Sequence, residues 1–128
     1  MFSNNKKITY VTYQTFPAET ANSLQSISNI KYFLKNNIDI SLYFPLREKN
    51  SSGDLKVLQN EYKIEENFFV QGVKHYLPFG RISLFEKISF HFSHFIWSFI
   101  LVNKYFRNRS REDIFFTRSE WLMYFLSK

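Results

Sequence analysis

The stretch ITYVTYQTFPAETANSLQSISNIKYFLKNNIDISLYF, Ile8 to Phe44, decides how this chain folds. Ile8 to Tyr13 alternates β-branched and aromatic side chains, the mark of a pleated and largely buried strand. Thr20 is placed to cap the helix that follows, along which Leu24, Ile27, Ile30 and Leu34 recur at steps of three and four on one face. After Asn36 and Asn37 a second strand, Ile38 to Phe44, runs to a break at Pro45. Strand, helix and strand joined by short connections form a βαβ unit, whose strands are parallel and whose crossover is right-handed. The reading is an α/β domain with a functional edge at the loop after the first strand.

The remaining sequence extends that pattern. Gly53 and Asp54 lead into a short helix, Leu55 to Tyr62, with Leu55, Leu58 and Tyr62 on one side. Phe68 to Val73 reads as a third strand, continuing towards Tyr76 until Pro78 and Gly80 break it. From Ser83 to about Phe106 a long helix carries Leu84, Ile88, Phe92, Phe95, Phe99 and Val102 in the helical rhythm, with further apolar residues round its circumference. Asp113 precedes a fourth strand, Ile114 to Thr117, and a strongly apolar helix begins near Glu120. That helix stops at Ser127 and Lys128 with neither a glycine cap nor a proline, so the chain is expected to be a truncated one.

Composition narrows the class. At 128 residues the chain is one domain at most, and its 20% aromatic content, with 16 Phe and 8 Tyr, is unlike a disordered segment. The absence of cysteine excludes disulfides and thiolate metal sites and fits a cytoplasmic protein. The first residues lack the apolar core and small-residue cleavage site of a secretory signal, so none is expected. The net charge of +6, spread over Lys6-Lys7, Arg47 to Lys49 and Lys104 to Arg111, suits a basic surface attracted to phosphates on anionic lipid or on a phosphorylated substrate. Nucleic acid is not an expected partner, because no recognition module or repeated basic and aromatic pattern occurs. Ile88 to Val102 is shorter than the ~20 residues of a membrane span and contains His91 and His94. It reads as a buried helix first and an interfacial one second.

Four strands separated by helices imply a doubly wound, Rossmann-like parallel sheet of order 3-2-1-4 with helices on both faces. Ligands bind such sheets at the carboxyl ends of the strands, where the order reverses. Two polar segments reach that crevice: Tyr13 to Ser23 and Arg118 to Glu120. Backbone N–H groups of the first helix, with Thr20, Asn22 and Ser23, make an anion site there. Arg118 adds a fixed positive charge with planar donors. The substrate-binding candidates are Gln14, Thr20, Asn22, Ser23, Ser119 and Glu120, and Arg118 is the catalytic candidate.

The opening segment resembles the amino-terminal domain of retaining, GT-B-type glycosyltransferases of family four. The shared features are a strand ending in a polar loop with Pro17, the Ala21-Asn22-Ser23 helix start, and Asn37-Ile38-Asp39-Ile40-Ser41-Leu42 leading to Pro45. A second shared feature is Asp113-Ile114-Phe115-Phe116-Thr117-Arg118-Ser119, similar to the strand and arginine turn of those enzymes. The likeness covers essentially the whole chain. It implies one half of a GT-B fold, the acceptor side, with a donor domain and its paired glutamates lying outside these residues. The implied reaction transfers a hexosyl group from a nucleoside-diphosphate sugar to a sugar or lipid-linked acceptor, as in surface polysaccharide assembly. No cofactor is implied, and the isolated segment is expected to be inactive alone. Two departures stand out: the first loop lacks a glycine pair, and Arg118 stands where many relatives keep a histidine.

Each candidate has a plainer reading. Thr20, Asn22 and Ser23 are also ordinary capping residues. Gln14 and Glu19 also suit a solvated loop, and Arg118 is placed to pair with Glu120 or Asp113. Tyr10, Tyr13 and Phe16 are candidates for stacking on a sugar ring, Tyr10 more simply as core. His75 at a strand end is a minor acceptor contact. His91 and His94, three apart on a helix, lack a third metal ligand, so no metal site is expected. The basic, aromatic Ser83 to Phe106 region is expected to rest on the inner face of a membrane. The competing class is a non-enzymatic α/β domain that recognises an anionic small molecule or a protein partner through the same crevice.

Overall fold

The computed structural model describes residues 6–46, 51–74, 86–110 and 113–128, with side chains from residue 91 onward in the third segment. Helices and strands alternate along it: β1 (Lys7–Val11), α1 (Ala21–Lys35), β2 (Asp39–Leu46), α2 (Leu55–Tyr62), β3 (Phe69–Lys74), α3 (Glu86–Tyr105), β4 (Ile114–Thr117) and α4 (Glu120–Leu126). The four strands form one parallel sheet of order β3-β2-β1-β4. This is the Rossmann-like α/β architecture read from the sequence, with its reversal between β1 and β4.

Strand periodicity sorts the sheet into two cores. Ile8 and Tyr10 of β1, Ile40, Leu42 and Phe44 of β2, and Phe116 of β4 meet Ile27, Ile30 and Leu34 of α1 and Leu58 of α2. The alternate residues Val11, Tyr43, Val73 and Phe115 meet Trp97, Leu101 and Val102 of α3 and Leu122 of α4. Helices therefore cover both faces. Each large apolar side chain taken fully out of water contributes about 1.5–3 kcal/mol, so the two layers, not strand hydrogen bonds alone, hold the sheet together.

Local chemistry sets the helix boundaries. Thr20 Oγ1 accepts from the Ser23 N–H and caps α1, Asp54 Oδ1 accepts from the Lys56 N–H and caps α2, and Ser119 Oγ accepts from the Leu122 N–H and caps α4. At the end of α1 the chain turns through Asn37 at φ 60°, a left-handed conformation that asparagine tolerates.

The structure corrects the sequence reading in four places. Pro45 does not end the second strand; it lies within β2 opposite Val73. Tyr43 O accepts from the Thr12 N–H on the β1 side, and by the two-residue period Pro45 nitrogen faces that same side, beyond where β1 stops. Strand β1 itself ends at Val11 rather than Tyr13, because Thr12 Oγ1 accepts from the Gln14 N–H and turns the chain away. Leu24 is exposed, and Ser23 and Ser26 join Ile27 and Ile30 on the buried face of α1. On α3 the buried stripe runs through Ser93, Trp97, Ser98, Leu101 and Val102, while Phe92 and Phe99 face outward. A helix apolar on every side carries no periodic signal that selects a face, and small serines let it approach the sheet. The expected start of α3 at Ser83, with Leu84, lies outside the described residues, as do the Ile88 side chain, the breaks at Pro78 and Gly80, and Arg47 to Lys49. Among the described residues no helix is long and apolar enough to cross a membrane.

Candidate functional site

The loop after β1 is held from several directions. Phe16 is fully buried, edge-on to Phe44 and Tyr62. Tyr62 OH accepts from the Ala18 N–H at 2.7 Å and donates to Ala18 O at 2.8 Å, tying the loop to α2. Burial, with Glu61 and Glu19 nearby, raises the Tyr62 phenol above its ordinary pKa, against the lowering effect of the Ala18 backbone bond. Ser23 Oγ donates to Thr15 O, Thr15 Oγ1 meets Ser51 Oγ, and the Ser52 N–H donates to Phe16 O. These contacts fix the loop's path before any ligand arrives.

That path opens a cleft of about 250 Å³ at the carboxyl ends of β1 and β4. Gln14, Asn22, Arg118 and Ser119 line it, so four of the seven sequence candidates converge on one place. The shared pocket between the turn beyond Tyr13 and Arg118 exists. Arg118 is exposed, and its Nη1 donates to Gln25 Oε1 at 3.1 Å rather than pairing with Glu120 or Asp113. Asp113, at the far end of β4, accepts instead from the Ser110 N–H at 2.8 Å.

Thr20, Ser23 and Glu120 lie outside this lining. Thr20 and Ser23 bond each other, Thr20 Oγ1 donating to Ser23 Oγ at 2.9 Å, and Ser23 is buried. Their capping role is the one the geometry displays. Glu120 is exposed on the first turn of α4, and Glu19 is exposed on the loop. Of the ring candidates, Phe16 has no exposed surface for a sugar, whereas Tyr10 and Tyr13 line the cleft. Tyr10 stacks on Phe116. His75 lies outside the described residues.

The structure adds His94. Its ring stacks on Tyr13 with centroids 4.0 Å apart, and its Nε2 sits 2.6 Å from Ser119 Oγ inside the cleft. His91 points to the exposed side, and no group of three metal-ligating side chains occurs among the described residues. The signal for His94 was a titratable side chain one turn before Trp97 on a stripe that faces the sheet. It was hidden because the sequence rhythm selected Phe92, Phe95 and Phe99 as that stripe.

The cleft thus presents two amides, the hydroxyls of Thr12, Ser26 and Ser119, an imidazole and a guanidinium around an aromatic floor. Such a set donates to anionic and hydroxyl oxygens and packs against an apolar ring face. Comparison of the chain with protein-family models, curated proteins and solved structures finds no match in any of the three.

Proposed function

We propose that the chain is the amino-terminal, acceptor-side part of a glycosyltransferase that moves a hexosyl group from a nucleoside-diphosphate sugar to a sugar or lipid-linked acceptor. The observation that carries this reading is the convergence of Gln14, Asn22, Arg118 and Ser119 on one cleft at the strand-order reversal. Support also comes from the resemblance of the first βαβ unit and the Asp113 to Ser119 segment to such enzymes. In the proposed mechanism Gln14, Asn22 and Ser119 orient acceptor hydroxyls. Arg118, a planar guanidinium bonded to a neutral amide, faces the diphosphate and stabilises the charge that develops as it leaves.

The test is NMR titration of the labelled chain with a panel of nucleoside-diphosphate sugars and short oligosaccharides. Amide shifts confined to residues 13–14, 22 and 118–119, abolished for the sugar nucleotide by Arg118→Ala, are the expected result. Shifts there with inorganic pyrophosphate but with no sugar compound replace the transferase with a non-enzymatic anion-binding domain. No shift with any of these compounds removes the cleft from consideration.

A further inference from the structure

A second opening, of about 450 Å³, lies at the amino-terminal edge of the sheet, the far end of β4 from Arg118. With about 3.3 Å per strand residue, the Ile114 and Arg118 backbones stand roughly 13 Å apart, so the two sites are distinct. The floor of this opening is a row across the sheet: Ser41, Thr9 and Phe115 are register partners on the face that α3 covers elsewhere. Small hydroxyl side chains at Ser41 and Thr9 leave space there that larger apolar ones would fill.

Cations ring that floor. Lys6 and Lys7 come from the start of β1, and Lys104, Arg107 and Arg109 from the end of α3 and the turn after it, against one carboxylate among the described residues, Asp113. Nearly one hundred residues separate the two groups in sequence, and only the parallel docking of β1 beside β4 unites them. Like charges gathered this way repel each other and cost stability unless something offsets them.

Arg109 has a structural task. Its Nε and Nη2 donate to Leu126 O and Phe125 O, and its Nη1 donates to Phe106 O. Those carbonyls end α3 and α4, where helix dipoles place partial negative charge. Arg109 cancels a field that would otherwise oppose an anion. The side chains of Lys6, Lys7 and Arg107 have no hydrogen-bond or ion-pair partner among the described residues, and Lys104 Nζ lies over the Tyr105 ring at 5.4 Å. Asp113 is engaged by the Ser110 N–H. Among the described residues this surplus positive charge is uncommitted, and it faces the same opening.

We infer that this opening is a binding site for a phosphate-bearing ligand carrying at least two negative charges, with Lys6, Lys7, Lys104 and Arg107 as its clamp and Thr9 and Ser41 hydroxyls at its base. Oligophosphate chemistry fits because several flexible ammonium groups and one planar guanidinium surround a cavity large enough for a diphosphate. The inference is independent of the transferase reading, which concerns the opposite edge of the sheet.

Titration with inorganic pyrophosphate, followed by NMR, tests it on the full chain. Saturable one-to-one shifts at residues 9, 41 and 104–108 are expected, weakened about tenfold or more by Lys104→Gln/Arg107→Gln and weakened again by raised salt. Arg118→Ala leaves these shifts in place, which separates this site from the cleft. A second arm sediments the protein with phosphatidylcholine vesicles, with and without phosphatidylglycerol. Retention on the anionic vesicles that pyrophosphate displaces assigns the phosphate to a lipid headgroup; pyrophosphate binding without retention assigns it to a soluble molecule. Lys6→Gln/Lys7→Gln provides an independent pair should the first variant unfold by circular dichroism. Equal affinity of the wild type and a folded double variant, or no saturable binding of pyrophosphate and no retention on vesicles, overturns the inference.

Discussion

His94 Nε2 lies 2.6 Å from Ser119 Oγ, joining the middle of α3 to the first residue after β4's turn. The same hydroxyl accepts from the Leu122 N–H, so one buried oxygen both caps α4 and locks the imidazole against Tyr13. Losing it has two costs. Ser119→Ala removes the cap, worth about 0.5–2 kcal/mol, and leaves a cleft nitrogen without that partner. Urea unfolding of Ser119→Ala, His94→Ala and the double variant should give a coupling energy of about 0.5–3 kcal/mol. Additive effects would show that the pair does not interact.

Arg118 is exposed and bonded to one neutral side chain, so Arg118→Ala should move folding stability by no more than about 0.5 kcal/mol. Affinity for a sugar nucleotide should nevertheless fall about tenfold or more, since a charge-assisted contact is lost. Equal loss of stability and of binding would instead make Arg118 part of the scaffold.

Tyr62 carries the alkaline prediction. Its folded pKa is raised above the ordinary tyrosine value, so the folded state holds the phenolic proton more tightly than the unfolded state. The stability this contributes is complete below about pH 10 and is lost as pH rises through the folded value. Tyr62→Phe should lower the stability at neutral pH by about 1–2 kcal/mol through two lost bonds to Ala18 and should flatten the decline above pH 10. Denaturant midpoints at neutral and alkaline pH check both effects, and an unchanged slope would count against the assignment.

Ser98 is fully buried on α3 and its Oγ has no partner among the described residues. Ser98→Ala should therefore stabilise the chain by about 1 kcal/mol, combining removal of an unsatisfied hydroxyl with the better helix propensity of alanine. A rise in thermal midpoint is the expected readout; a fall would mean that the hydroxyl is bonded.

Gly53 and Gly72 approach each other so closely that a Cβ on Gly53 would stand 2.8 Å from Gly72 nitrogen. A Cβ on Gly72 would meet Leu46 Cδ2 at 2.6 Å, a side chain able to rotate. Gly53→Ala should cost about 1–3 kcal/mol, and more than Gly72→Ala, because backbone yields less readily than a leucine terminus. Reversed order in chemical denaturation would contradict this packing.

Periodicity and local capping are properties of neighbouring residues, and these were legible. Alternation in Ile8 to Tyr13, the Thr20 cap, the Asp54 start of α2 and the Ile114 to Thr117 strand all appear at or within two residues of their expected places. That Gln14, Asn22, Arg118 and Ser119 would lie together was legible too, because strand ends in a doubly wound sheet converge at the reversal of order. Thr20 and Ser23 carried the same residue types yet were absorbed by each other, an outcome that depends on loop path rather than composition.

The sequence by itself determined a parallel α/β sheet of order 3-2-1-4 and the edge at which its polar loops meet, since hydrophobic rhythm and short connections admit few topologies. Tertiary structure alone decided which face of α3 turned inward, and with it the arrival of His94 beside Ser119. It alone also decided that Lys6 and Lys7 would share an opening with Lys104 and Arg107. The reason is physical: an all-round apolar helix, like charges distant along a chain, acquires its neighbours only from the packing of the whole sheet.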